Sequence, residues 1–186
     1  MELDMGEVGR LLYINKIIEK LKCNKGESTL ISIVKFFIFF AIIGVAVEFF
    51  RLQAFQSTIQ TKIEIIVQDA LELSVDDRYR MDRLSIIDSA EAEMQLFDLL
   101  ITDLNLDNNL SPMAGSVLQT PLVIESITIR EGSFTGSGNN FYNLEYPSIR
   151  IRGHTHQRII LIPFLDESLR QIEIPFNVYI ENRRYN

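Results

Sequence analysis

The stretch LISIVKFFIFFAIIGVAVEFF, residues 30–50, decides the architecture of this chain. Its length is about what an α-helix needs to cross the hydrocarbon core of a bilayer. Its only ionisable side chains are Lys35 and Glu48. We therefore expect a single-pass protein of the cell membrane, with a tail at residues 1–29, a transmembrane helix at residues 30–50 and a folded domain at residues 51–186.

A cleavable signal peptide is the alternative interpretation of this stretch. Its apolar core would be shorter, and a leader of some thirty residues would not normally precede it. Gly44, Val45 and Ala46 could form a small-residue cleavage site. The length of the run nevertheless favours a retained helix.

Basic residues near the two ends of the span predict its orientation. Four lysines precede it: Lys16, Lys20, Lys22 and Lys25. Arg51 and Lys62 are the counterparts that follow it. Because cytoplasmic flanks carry the excess of Lys and Arg, we expect a cytoplasmic N-terminus and an extracytoplasmic domain. The single cysteine, Cys23, precedes the span, so the domain must fold without disulfides.

The two ionisable side chains of the span are candidates for contacts between copies. The stem of Lys35 can reach back to the inner interface, and Glu48 lies near the outer end. Thirteen residues separate them, which is about 20 Å along a helix, so they cannot pair within one helix. They could pair between parallel copies displaced along the axis. The alternative is that both are interface residues with no role in assembly.

Helical spacing continues beyond the span. The following apolar residues trace one face of a helix: Phe55, Ile59, Ile63, Ile66, Val67, Ala70 and Leu71. No glycine or proline lies between Val45 and Leu73, so we expect one helix from Leu30 to about Leu73, roughly 65 Å long. Similar spacing at residues 11–21 of the tail predicts a short amphipathic helix on the inner membrane face, with a frayed extension as the alternative.

A second helix is predicted after a densely charged break at residues 75–83. Asp88, with Glu91 three residues later, has the spacing of a capping box. An apolar stripe follows these two residues and ends near Asn105.

The C-terminal part of the chain has the pattern of β-strands. Segments 121–131, 148–157 and 171–181 alternate or are rich in β-branched residues, and residues 158–164 form a short apolar run. The glycine-rich residues 132–140 predict a flexible connection. The predicted fold class is α+β: a long N-terminal transmembrane helix that continues outward, a second helix, and an antiparallel sheet of about four strands packed on the outer half of the long helix.

One predicted strand carries a basic face. Residues of one parity are Arg150, Arg152, His154, His156 and Arg158. Between Glu64 and Asp107 there are twelve acidic residues and three arginines. The basic stripe of one copy could therefore meet the acidic region of another through complementary charge. The alternative is a solvated sheet face that pairs with Glu145 or Glu173. The candidate contact residues are Lys35, Glu48, Arg51, Arg150, Arg152 and Arg158.

Other functional classes find little support in the residues. The formal net charge of −7 argues against nucleic-acid binding. His154 and His156 are the only histidines, and the sequence offers no obvious third metal ligand beside them. Catalytic serine, phosphate-binding and zinc motifs do not occur. We expect no enzymatic activity, no small-molecule substrate, no cofactor and no bound metal.

Four features together resemble the TadE-like minor pilins of tight-adherence pilus systems. They are a charged segment ending at residues 25–27 (KGE), an apolar helix, residues 48–51 (EFFR) at its outer end, and a continuing amphipathic helix. The resemblance covers about residues 22–75, and the wider plan of one long helix with an outer sheet is similar to type IV pilins and pseudopilins. Prepilin-type processing after Gly26 would require a glutamate five residues later, where this chain has Ile31.

The resemblance implies a membrane-anchored, non-catalytic structural subunit of an extracellular pilus-like or secretion-type assembly. Its partners would be the bilayer and other copies or subunits. The alternative is a single-pass, membrane-anchored protein-binding module of a cell-envelope or conjugation machine. A structural subunit should self-associate through residues 30–73, whereas an anchor should tolerate an unrelated span.

Overall fold

A computed structural model describes residues 25–80, 82–137, 140–160 and 170–183. The chain forms two compact units, residues 1–46 and residues 47–186. The amphipathic helix predicted at residues 11–21 lies outside the described residues. One helix contributes residues to both units.

Helix α1 spans Lys25–Leu73 and contains 49 residues. The prediction of an uninterrupted helix to about Leu73 is thereby confirmed. It is long and apolar enough to cross a membrane. Over residues 31–45 its large apolar side chains are each at least 39% exposed. They are Ile31, Ile33, Val34, Phe36, Phe37, Ile38, Phe39, Phe40, Ile42, Ile43 and Val45.

In the second unit the same helix buries one face. Its side chains there are at most 1% exposed: Ile59, Ile63, Ile66, Val67, Ala70 and Leu71. Phe55 packs against this cluster and is partly buried. The face is the apolar stripe predicted from the sequence, and its removal from water contributes about 25 cal/mol per Å² of apolar surface.

Two shorter helices follow, α2 at Asp77–Arg80 and α3 at Ser89–Asp103. Asp88 caps the N-terminus of α3, as predicted. Its carboxylate accepts hydrogen bonds from the backbone N–H groups of Ala90 at 2.9 Å and Glu91 at 3.0 Å. These two donors would otherwise remain unpaired in the first turn of the helix.

Among the described residues of the second unit, five antiparallel strands form two sheets. The strands are β1 (Val123–Arg130), β2 (Ser133–Ser137), β3 (Asn140–Glu145), β4 (Ser148–Arg158) and β5 (Gln171–Glu181). The larger sheet has the order β1-β4-β5, and β2 pairs with β3 alone. Ile149, Ile151, Phe176 and Val178 line the inner face of the larger sheet and share one core with α1 and α3.

The prediction of a flexible connection at residues 132–140 is wrong. Strands β2 and β3 pair there, so the described residues form five strands in two sheets instead of the expected single sheet of about four strands. The segment is rich in glycine and serine, but it also contributes to an aromatic cluster. The ring centroid of Phe134 lies 6.1 Å from that of Phe141 and 5.4 Å from that of Tyr79. Such aromatic contacts stabilise a strand pair that local composition does not indicate.

The short strand predicted at residues 158–164 does not appear in its first described residues. Strand β4 ends at Arg158, and Ile159 and Ile160 belong to no strand. Residues 161–169 lie outside the described residues. The predicted strands over residues 121–131, 148–157 and 171–181 correspond to β1, β4 and β5.

Gly153 is the position on β4 where a side chain has no room. A methyl group there would lie 2.1 Å from the carbonyl oxygen of Val123 and 2.6 Å from Cζ of Phe176. We predict that Gly153→Ala lowers the free energy of unfolding by about 1–3 kcal/mol. Urea unfolding in detergent, followed by tyrosine fluorescence, measures the change.

Gly44→Ala is the matched control, because no heavy atom lies within 4 Å of a methyl group added there. It should leave the unfolding midpoint unchanged or raise it slightly, since alanine favours a helix more than glycine does. Equal midpoints for Gly153→Ala and the parent protein would contradict the packing of β1 and β5 against Gly153.

Candidate functional site

A buried carboxylate lies at the beginning of the second unit. Glu48 is only 2% exposed, although it lies within the stretch that was predicted to span the membrane. Its Oε1 atom accepts hydrogen bonds from Nε of Arg51 at 3.1 Å and from the backbone N–H of Ile160 at 3.3 Å. Nη2 of Arg51 contacts the same carboxylate oxygen and also donates to the carbonyl oxygen of Arg158.

This arrangement connects α1 to the end of β4. A charge taken out of water is costly unless it is paired and hydrogen-bonded. Arg51 lies one helical turn after Glu48, and its planar guanidinium can reach two acceptors at once. We call Glu48, Arg51 and the backbone of Arg158 and Ile160 the helix–strand clamp.

The structure brings together three of the six predicted contact residues. Glu48 and Arg51 meet through their side chains, and Arg158 joins them through its carbonyl oxygen. Sequence reasoning missed this contact because 107 residues separate Arg51 from Arg158. The fourth residue, Lys35, is exposed and belongs to the first unit.

The proposed pairing of Lys35 with Glu48 between copies stays a prediction. In the structure the carboxylate of Glu48 already has a cationic partner, Arg51, within its own chain. A lysine from another copy would have to displace that guanidinium from a buried position. The clamp therefore makes the pairing costly, because it would break an existing charge-assisted hydrogen bond.

The remaining two predicted residues lie on the outer face of the larger sheet. Arg150 lies over the ring of Tyr179, 5.0 Å from its centroid, in a cation–π contact. Nε of Arg152 donates to Oδ1 of Asn177 at 3.4 Å. Both arginines are exposed, as the parity of the strand predicts. A partner that binds either arginine would therefore also lie next to the β5 side chain, Tyr179 or Asn177, that the arginine contacts.

The register of the strands bears on the alternative that the basic stripe pairs with Glu145 or Glu173. Glu173 of β5 lies directly opposite His156 of β4 in the register. Glu145 belongs instead to the β2–β3 hairpin, where it pairs with Ser133. It is not a neighbour of the basic stripe, because β1 and β5 are the strands on either side of β4.

The two histidines form a polar cluster with two carboxylates. Nδ1 of His154 lies 2.9 Å from Oε1 of Glu125 on β1. The rings of His154 and His156 are nearly perpendicular, with centroids 5.4 Å apart. One ligand atom from each of His154, His156 and Glu173 lies within 4.8 Å of the other two. These three residues could hold a metal ion, and the sequence did not reveal the third.

A second carboxylate, that of Asp76, forms an ion pair with an arginine, Arg78. Asp76 accepts hydrogen bonds from Nε and Nη2 of Arg78 and from its backbone N–H. The side-chain hydrogen bond from Arg78 holds the pKa of Asp76 below its usual value.

Comparisons of the chain with known protein families, with curated proteins and with solved structures found no match.

The clamp predicts a strong coupling between its two side chains. Arg51→Met should lower the free energy of unfolding by about 3 kcal/mol, because it leaves a buried carboxylate without its cation. In a Glu48→Gln background the same change should cost much less. A double-mutant cycle by urea unfolding should give a coupling energy of about 0.5–3 kcal/mol.

Arg78→Met serves as the control for this cycle, because it removes an arginine from an ion pair whose guanidinium side chain is 83% exposed. Exposed pairs contribute little to stability, so its unfolding midpoint should change far less. Additive effects of Arg51→Met and Glu48→Gln would contradict the clamp.

Proposed function

We propose that this chain is a membrane-anchored, non-catalytic structural subunit of an extracellular pilus-like or secretion-type assembly. Its N-terminus lies in the cytoplasm and its second unit lies outside the membrane. The observation that supports this proposal is the difference between the two parts of α1. Residues 31–45 expose apolar side chains throughout, whereas residues 59–71 bury one face in the core of the second unit.

The exposed part of α1 needs an apolar environment. Eleven large side chains at least 39% exposed would be unfavourable in water, and lipid or another helix would cover them. Gly44 leaves open space at its Cα, with no heavy atom within 4 Å of an added methyl group. Small residues of this kind allow two helix backbones to approach closely within a membrane.

Attachment of the helix to the sheet within the second unit supports a structural role. The clamp joins Glu48 and Arg51 of α1 to the end of β4. The part of α1 that belongs to the second unit therefore packs on the sheet and is also hydrogen-bonded to it.

The alternative is a membrane-anchored protein-binding module of a cell-envelope or conjugation machine. The β2–β3 hairpin favours it, because three apolar side chains of β3 are exposed. Phe141 is 39% exposed, Tyr142 57% and Leu144 62%. Tyr142 and Leu144 share one face of β3, and exposed apolar side chains of this kind are typical of a protein contact.

Cysteine crosslinking in native membranes tests the proposal. Single cysteines are placed at each position of residues 36–43 in a Cys23→Ser background. Helix-on-helix packing predicts disulfide-linked dimers that recur every three or four positions, because one face of α1 meets another copy. Gel electrophoresis after mild oxidation gives the yield at each position.

Glu93→Cys on the exposed surface of α3 is the control for random collision. It should crosslink much less than the best position of residues 36–43. If no position exceeds this control, helix-mediated self-association is excluded, and the binding module becomes the better hypothesis.

A further inference from the structure

The outer face of the larger sheet carries four groups that suit a transition metal. His154 and His156 are two residues apart on β4, so their side chains project from the same face. Both are partly buried, and their ring centroids are 5.4 Å apart. Two histidines with this spacing on a strand can bind one ion from the same side.

The register of β4 and β5 supplies the third ligand. Glu173 lies opposite His156, and the nearest ligand atoms of His154, His156 and Glu173 lie within 4.8 Å of one another. With metal–ligand bonds of about 2.0–2.2 Å, ligand atoms around a tetrahedral ion are roughly 3.4 Å apart. Rotation of the side chains alone can shorten the separation of the ligand atoms to the tetrahedral value, because the strands already hold the three Cα atoms in place.

A β-bulge supplies the group that orients His154. The register of β1 against β4 shifts between Ile124 and Ser126, so Glu125 is the extra residue on β1. Its carboxylate lies 2.9 Å from Nδ1 of His154. When Nδ1–H donates to this carboxylate, Nε2 keeps the lone pair that a metal requires. A carboxylate behind a ligating histidine is a common feature of zinc sites.

The charges of the cluster also match a divalent cation. Two neutral imidazoles and two carboxylates carry a charge of −2, which a divalent ion neutralises. The exposed Arg152 and Arg158 on the same strand face repel a cation, and the nearer carboxylates of Glu125 and Glu173 oppose that repulsion. Two nitrogen ligands favour Zn²⁺ and related transition metals over Ca²⁺ or Mg²⁺, which prefer oxygen.

We propose that His154, His156 and Glu173 bind a Zn²⁺-class metal ion on the outer face of the sheet, with Glu125 as the residue that positions His154. Three protein ligands leave the fourth position of a tetrahedral site open to water or to a side chain of a partner. The inference is independent of the assembly proposed above, because it rests on β1, β4 and β5 alone.

Metal titration of the full chain tests the proposal. The protein is purified in detergent without a polyhistidine tag and with Cys23→Ser, so that neither adds a ligand. Competition with a chromophoric chelator should show one Zn²⁺ ion per chain, and Co²⁺ should give the intense visible absorption of a tetrahedral site. Glu125→Gln should weaken Zn²⁺ binding by about 10- to 100-fold, as for other residues behind a ligand.

Loss of a ligand should have a larger effect than loss of the orienting carboxylate. His156→Ala and Glu173→Gln should therefore weaken Zn²⁺ binding more than Glu125→Gln does. Glu145→Gln is the matched control, because it removes an exposed carboxylate from the hairpin and should leave affinity unchanged. Equal affinity in Glu173→Gln and Glu145→Gln would overturn the site.

A second measurement separates metal binding from misfolding of a variant. The chain has two histidines, so an NMR spectrum of the parent protein with ¹³C-labelled histidine reports on both ligands directly. Zn²⁺ should shift both imidazole signals together at one equivalent. If one equivalent shifts neither signal, the proposal is wrong, and the cluster contains only the cross-strand hydrogen bond between His154 and Glu125.

Discussion

Burial of one face of α1 under the larger sheet is the interaction on which the second unit depends. Ile59, Ile63 and Ile66 have no exposed surface or almost none, and they share a core with the inner faces of β4 and β5. A single helix cannot bury an apolar stripe by itself, so the sheet and α3 are needed to cover it. Everything exposed on the outer face of the sheet is positioned by this packing, including the basic stripe and the histidine cluster.

The clamp shows how a charged residue fits into an otherwise apolar segment. Glu48 follows the exposed apolar residues of the first unit, yet it is buried and hydrogen-bonded in the second. Arg51 supplies the opposite charge from the next turn of the helix, and the carbonyl of Arg158 and the N–H of Ile160 supply partners from the end of β4. The resulting network serves two purposes at once, since it neutralises a buried charge and joins two elements distant in sequence.

Local patterns in the sequence predicted most of the elements but not all of them. Apolar spacing identified α1, and the Asp88 cap identified the start of α3, because both signals act over a few residues. The β2–β3 hairpin was missed, since glycine and serine dominate its composition and its aromatic contacts involve Tyr79, which is far away in the chain. The candidate site was likewise predicted only in part. Strand parity predicted the exposed face of Arg150 and Arg152, but it did not predict that they contact Tyr179 and Asn177.

The sequence by itself determined the long apolar helix, its amphipathic continuation and the alternation of the strands, because backbone geometry repeats with a fixed period. Only the tertiary structure decided which residues meet across strands and between helix and sheet. The register of β4 against β5 brings Glu173 to His156, and the bulge in β1 brings Glu125 to His154. These contacts depend on register and chain folding over tens of residues, and a shift of one residue would turn each side chain to the opposite face.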